Sequence, residues 1–150
     1  MPQSNAYLLI HVIFSTKDRE PVLLAPARAA LHAYLATVAR DIGCECYRAG
    51  GMEDHVHLAI RLSRTVTVSA LIEKLKSSSS KWLKEQFHDQ ENFAWQRGYA
   101  AFSVGPSHLE ALRRYIDTQE EHHRKQSFQE EYRMLMGKYG VSYDERYAWD

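Results

Sequence analysis

Residues 6–15 alternate strictly, with Leu8, Ile10, Val12 and Phe14 on one side and Tyr7, Leu9, His11 and Ile13 on the other. A period of two is the mark of a strand. Residues 26–42 form an Ala/Leu-rich stretch that predicts a helix, opening at Pro26 and stopping before Gly43. Residues 44–49 and 55–62 read as strands, joined as a hairpin through Gly50-Gly51. A longer helix runs from Thr67 to about Phe87, where serines lower the propensity without breaking the pattern. Residues 98–104 predict a fourth strand, 107–124 a helix with Leu109, Leu112 and Ile116 at helical spacing, and 127–139 a final helix ending at Gly140. The order β-α-β-β-α-β-α predicts an α+β chain: a ferredoxin-like, split βαβ arrangement with a four-stranded antiparallel sheet and helices on one face. One domain is expected over residues 1–150, with the core in 1–105, the helix after it in 106–124, and a C-terminal helix and tail in 125–150. Tyr143, Tyr147 and Trp149 suggest that the tail docks.

Composition narrows the class. At 150 residues and 45% hydrophobic, the chain can build one real core. No apolar run approaches the ~20 residues of a membrane span, and no signal peptide opens the sequence, so a cytoplasmic protein without a membrane partner is expected. Cys44 and Cys46 lie at i and i+2 on one strand, a poor geometry for a disulfide, and read as reduced packing residues. Formal net charge is zero, which argues against unselective nucleic-acid binding. Its distribution is uneven: Arg61, Arg64, Lys74, Lys76, Lys81 and Lys84 face only Glu73 in residues 61–84, and the segment after Ser127 is net acidic. Lys74, Lys76, Lys81, the serines around Ser78, Arg61 and Trp82 are therefore candidate DNA contacts, against the plainer reading of a solvated helix face.

The chemistry concentrates at His55-Val56-His57. Both imidazoles share one face of the strand, while Val56, Leu58, Ile60 and Leu62 share the other. Two neutral imidazoles side by side on a rigid strand can chelate a divalent metal. The same parity puts His11 on the histidine face, as an outer partner of the site, a phosphate contact or a satisfied structural histidine. A third ligand and a reacting group are still needed. On the helix from Leu109, Tyr115 and Gln119 stand at i and i+4 on one face, and His122 continues it.

Taken together, His55-Val56-His57 and the helical Tyr115-x-x-x-Gln119 resemble the HUH single-tyrosine transposases of small bacterial insertion sequences, the IS200-like transposases and their REP-associated relatives. Further similarity lies in His11 to Arg19, in Phe93-Ala-Trp95-Gln96-Arg-Gly98-Tyr99, and in the segments Phe128–Tyr132 and Tyr143–Trp149. Asp18 departs from the aromatic residue that the family often has there. The resemblance implies Tyr115 as nucleophile and His55, His57 and the Gln119 amide oxygen as ligands of Mg²⁺ or Mn²⁺. It implies cleavage of hairpin-bearing single-stranded DNA through a 5′-phosphotyrosine, with release of a 3′-hydroxyl and strand transfer. It also implies a homodimer joined through the sheets, in which each site can take its tyrosine helix from the partner.

Two other classes stay open. A domesticated or inactive relative would act as a single-stranded nucleic-acid-binding module, and Arg97 to Val104 partly matches an RNA-recognition strand. A plain metal-dependent phosphoesterase would use water and leave no covalent adduct.

Overall fold

A computed structural model describes residues 2–150. Its strands are β1 (Leu8–Ser15), β2 (Glu45–Gly51), β3 (His55–Leu62) and β4 (Ala100–Ser103), all antiparallel to their neighbours in the order β2-β3-β1-β4. Helices α1 (Ala25–Asp41) and α2 (Val68–Gln86) are the crossovers, and α3 (Leu109–Asp117), α4 (Gln119–His123) and α5 (Phe128–Tyr139) follow the last strand. This is the ferredoxin-like arrangement expected from the order of elements.

The alternation along β1 and β3 sorts the core into two layers. Ile10, Val12 and Phe14 of β1 and Val56, Leu58 and Ile60 of β3 are buried with Leu31 and Leu35 of α1 and Leu71 and Leu75 of α2. Ser79 of the serine run belongs to this layer: it is fully buried and accepts a hydrogen bond from Trp95 Nε1 at 3.0 Å. Trp82 stacks on Tyr34 with ring centroids 4.6 Å apart. On the second face, Ile13 and Phe102 pack against Phe128, Tyr132, Leu135 and Met136 of α5, and Ala59 packs against Leu112 and Ile116 of α3.

Both faces of the sheet are thus covered: the crossover helices α1 and α2 lie on one, as the order of elements predicts, and α3 and α5 lie over the histidine face. The apolar stripe of α5 and the short stripe of α3 each need burial, and the chain's own sheet supplies it. Gly50 makes the approach of α3 possible, since a Cβ there would stand 2.7 Å from Ile116 Cγ2 and 3.1 Å from its carbonyl oxygen.

Boundaries shift in physically readable ways. Gly50 and Gly51 pair with His57 and Val56 inside the ladder, so the hairpin turns at 52–54 rather than at the glycines. Gly51 has φ 148°, and a Cβ on it would meet the His55 carbonyl oxygen at 2.2 Å. Thr67 and Ser127 lie just outside α2 and α5, where their hydroxyls accept from the amides of Ala70 and Glu130. The single helix expected over 107–124 is broken at Thr118, whose φ and ψ are −102° and 22°. Its hydroxyl donates back to the Arg114 carbonyl at 2.9 Å, a bond that competes with regular helix at that turn.

Of the C-terminal aromatics, Trp149 docks, with its ring 5.2 Å from that of Tyr132 and Arg19 and Arg133 against it. Tyr147 is 64% exposed, so the tail docks through Trp149 and not through this ring. Gly98 N and Gln96 Nε2 both donate to the Asp150 carbonyl, at 2.8 and 3.2 Å.

Candidate metal and tyrosine site

His55 and His57 stand on one face of β3, as alternation requires, and both are fully buried under α4 and α5. Each has one ring nitrogen held by an orienting partner. His55 Nδ1 lies 2.7 Å from Asp54 Oδ1, and His57 Nδ1 lies 2.8 Å from His11 Nε2. Such outer partners fix ring orientation and leave the Nε2 atoms directed at the centre.

At that centre sits Glu131 of α5, also fully buried. Its Oε1 is 3.0 Å from His57 Nε2, 3.4 Å from His55 Nε2 and 3.1 Å from His123 Nε2. Its Oε2 accepts from Gln119 Nε2 at 3.1 Å and from the Tyr115 hydroxyl. Gln119 Oε1 in turn faces His55 Nε2 at 3.1 Å and His123 Nε2 at 3.0 Å. The Tyr115 ring lies 5.7 Å from that of His57, 6.0 Å from that of His11 and 4.9 Å from that of His122.

The electrostatics follow from this packing. Burial opposes charge on His55, but Asp54 and Glu131 outweigh it and raise its pKa to about 9. Burial depresses His57, reinforced by His55 and His123 and only partly offset by Glu131. His11 is held well below the usual range by burial and by His57. Burial disfavours charge on Glu131, yet hydrogen bonds from His123, His55 and His57 hold it far below the carboxylate range. Burial and the Glu131 charge raise the Tyr115 phenol.

The donor set fits a divalent cation. Ligand atoms of His55, His57 and Glu131 all lie within 4.8 Å of one another. Adjacent ligands of an ion with bonds near ~2.1 Å stand roughly 3 Å apart, close to the spacings from Glu131 Oε1 to the two imidazoles.

The family model described as "Transposase IS200 like" matches residues 4–119. The chain is a member of that family. It is 28% identical over 100 residues to the transposases for insertion sequence element IS200 of Salmonella typhimurium and Salmonella typhi, covering 63% of this chain. The match spans 66% of those relatives, just under two thirds of their length. Two solved structures share the fold. A candidate transposase from Deinococcus radiodurans R1 superposes with TM-score 0.62 at 23% identity, over 79% of this chain and 98% of that one. A REP-associated tyrosine transposase bound to a REP hairpin gives TM-score 0.59 at 16% identity, over 82% and 74%.

For this family member, the residues singled out in the sequence fall into two groups. His55, His57, Gln119, Tyr115 and His11 come together in one chain, with His11 buried against His57 rather than open to a phosphate. The α2 candidates lie on the opposite side of the sheet. Lys74 and Lys81 are exposed and Ser78 is half-buried, whereas Lys76 is committed elsewhere. Its Nζ donates to the carbonyls of Gln96, Arg97 and Gly98 at 2.8, 3.2 and 2.6 Å, and burial lowers its pKa to about 8. Arg61 is exposed beyond the far end of the histidine run.

Glu131 is the member that the sequence did not point to, and His123, whose role the sequence left open among phosphate, the metal's surroundings and a dimer partner, faces it at 3.1 Å. A signal for Glu131 existed: it falls on the stripe of Phe128, Tyr132 and Leu135, a carboxylate at a core-facing position of an amphipathic helix. Acidic residues are almost never fully buried unless paired.

Proposed function

We propose that this chain is a single-strand DNA endonuclease and strand transferase in which Tyr115 is the nucleophile. The observation that carries this reading is the hydrogen bond from the Tyr115 hydroxyl to Glu131, the carboxylate that also faces His55 and His57. Attack of Tyr115 Oη on phosphorus forms the tyrosine–phosphate ester and breaks the bond to the 3′ oxygen. As the bond forms the phenol loses its proton and the departing oxygen takes one up to leave as a 3′-hydroxyl, so the step conserves protons, with Glu131 Oε2 orienting the phenol as its hydrogen-bond acceptor. Because one ester replaces another, a second 3′-hydroxyl can reverse the step and join a new strand without ATP.

His55, His57 and Glu131, with the Gln119 amide oxygen beside them, would hold a Mg²⁺ or Mn²⁺ ion. Such an ion supplies Lewis-acid polarisation of the phosphate and stabilises its developing charge. Asp54 and His11 keep the two imidazoles oriented, and Gln119 and Glu131 fix the phenol relative to them, which is where positioning lowers a barrier.

Hairpin-bearing DNA is the proposed substrate, supported by the hairpin in the REP-associated neighbour. A cytoplasmic setting is supported by the free thiols of Cys44 and Cys46. A homodimer remains part of the proposal on the strength of the unpaired sheet edges at β2 and β4. The tyrosine helix no longer argues for it, because α3 lies over its own sheet. The test is a denaturing gel with Mn²⁺ and hairpin-bearing single-stranded DNA. A slower, DNA-linked protein band is expected, absent in Tyr115→Phe. Cleavage that persists in Tyr115→Phe would make water or another residue the nucleophile.

A further inference from the structure

A cavity of about 980 Å³ lies beyond the end of β3 that is remote from the histidines, and nothing in the site above uses it. Its walls include Ser4, Asn5, Tyr7, Arg40, Arg61 and Arg64, with Glu45 the only acid. Among the described residues Arg40, Arg61 and Arg64 form no ion pair, although Glu45 is the cross-strand neighbour of Arg61. Arginines gathered in one groove and left unpaired repel one another unless an anion enters.

The groove also carries an aromatic platform. Tyr7 is 41% exposed, with the Arg61 guanidinium 5.0 Å from its ring centre. Its hydroxyl bonds Tyr47 at 3.2 Å, and Arg113 lies 5.4 Å from the Tyr47 ring. Arg61, Tyr7, Tyr47 and Arg113 therefore form a row, two aromatic rings flanked by guanidinium groups, that ends on α3, the helix of Tyr115. Cationic grooves interleaved with exposed rings are the usual means of holding a single strand: the cations follow phosphates and the rings stack bases.

We propose that this groove is a second subsite for single-stranded DNA, in which Arg40, Arg61 and Arg64 hold phosphates and Tyr7 stacks a base. The proposal rests on the strand-transfer reading for the identity of its ligand. Arg61 follows His55 by six positions along β3, roughly 20 Å at ~3.3 Å per residue. At the ~3.4 Å rise of a stacked strand the groove holds nucleotides about six positions from the cleaved bond, or fewer if the strand is extended. The subsite thus grips flanking DNA and takes no part in the chemistry.

The test is fluorescence anisotropy with a labelled oligothymidine of about 20 nucleotides, long enough to span both sites, titrated with NaCl. Each single-strand phosphate contact adds about 0.7 to the slope of log affinity against log salt, so Arg61→Gln/Arg64→Gln should lower that slope by about 1.4. Arg61→Lys/Arg64→Lys should restore it, which separates lost charge from lost folding. Tyr7→Leu should weaken binding roughly tenfold while leaving the slope unchanged. An unaltered slope and affinity in the Gln pair would overturn the subsite, even if the Tyr115 adduct forms normally. The predicted slope change in a protein that forms no adduct would support the subsite and refute the strand-transfer reading.

Discussion

Removing the Glu131 carboxylate is the sharpest perturbation the structure offers. In Glu131→Ala the side chains of His57, His123 and Gln119, at 3.0, 3.1 and 3.1 Å, and the Tyr115 hydroxyl lose a shared acceptor in a site closed to water. His55, whose raised pKa depends on Asp54 and Glu131, keeps only Asp54. Breaking a buried charge pair from one side costs about 3–5 kcal/mol. At roughly 2–4 °C per kcal/mol for a chain of this length, the thermal midpoint in EDTA should fall by about 10 °C. Glu131→Gln keeps the shape and one acceptor oxygen and should lose less. Mn²⁺ at a hundredfold excess over its dissociation constant should raise the wild-type midpoint through about 2.7 kcal/mol of linkage, and this gain should shrink sharply in either variant. Differential scanning fluorimetry reads all of these. A fall of less than about 3 °C in Glu131→Ala would mean that the carboxylate is solvated and the buried network is wrong. An undiminished Mn²⁺ gain would remove Glu131 from the ligand set.

His32 has a buried Nε2 with no hydrogen-bond partner, and burial and Arg28 lower its pKa from 6.5 to about 4. A histidine depressed on folding binds fewer protons folded than unfolded, so its stability contribution is full above pH 6.5 and lost as pH falls toward 4, up to about 3 kcal/mol. Urea denaturation between pH 7 and 4 should show that loss, and His32→Leu should flatten it; an equally steep acid limb in the variant would exonerate His32. Lys76→Met leaves three carbonyl oxygens without their shared donor, at a cost of about 1.5–3 kcal/mol, and should open the 96–98 loop to trypsin after Arg97. DNA affinity lost without any change in stability or proteolysis would return Lys76 to the DNA-binding residues. Burial raises the Cys46 thiol to about 11, so iodoacetamide at pH 8 should label it far more slowly in the folded protein than in urea. Equal rates would show that β2 is frayed.

Local period carried much of this protein. Alternation in residues 6–15 and 55–62 decided which side chains of β1 and β3 face the crossover helices, and so put His11, His55 and His57 together on the other face. The order of elements was enough for the ferredoxin-like core, because a split βαβ sequence with short connections has few ways to pair its strands. Tyr115 and Gln119 were legible for a similar reason, since their i, i+4 spacing keeps them close even across the break at Thr118, where Gln119 Nε2 still reaches the Tyr115 carbonyl at 3.4 Å.

Tertiary structure decided the remainder. The break at Thr118 arises from a side chain bonding the turn before it, in competition with the helical pattern on both sides. Lys76 looked like a surface cation because helical spacing says nothing of the 96–98 carbonyls folded against it. Glu131 stands 76 residues from His55 and 74 from His57 along the chain, and as sequence it was one acid in an acidic tail. It became the centre of the site when α5 laid its apolar stripe across the histidine face of the sheet. A residue's faces follow from the turn of its own backbone, whereas its partners across such a separation follow from how whole elements bury their apolar surface.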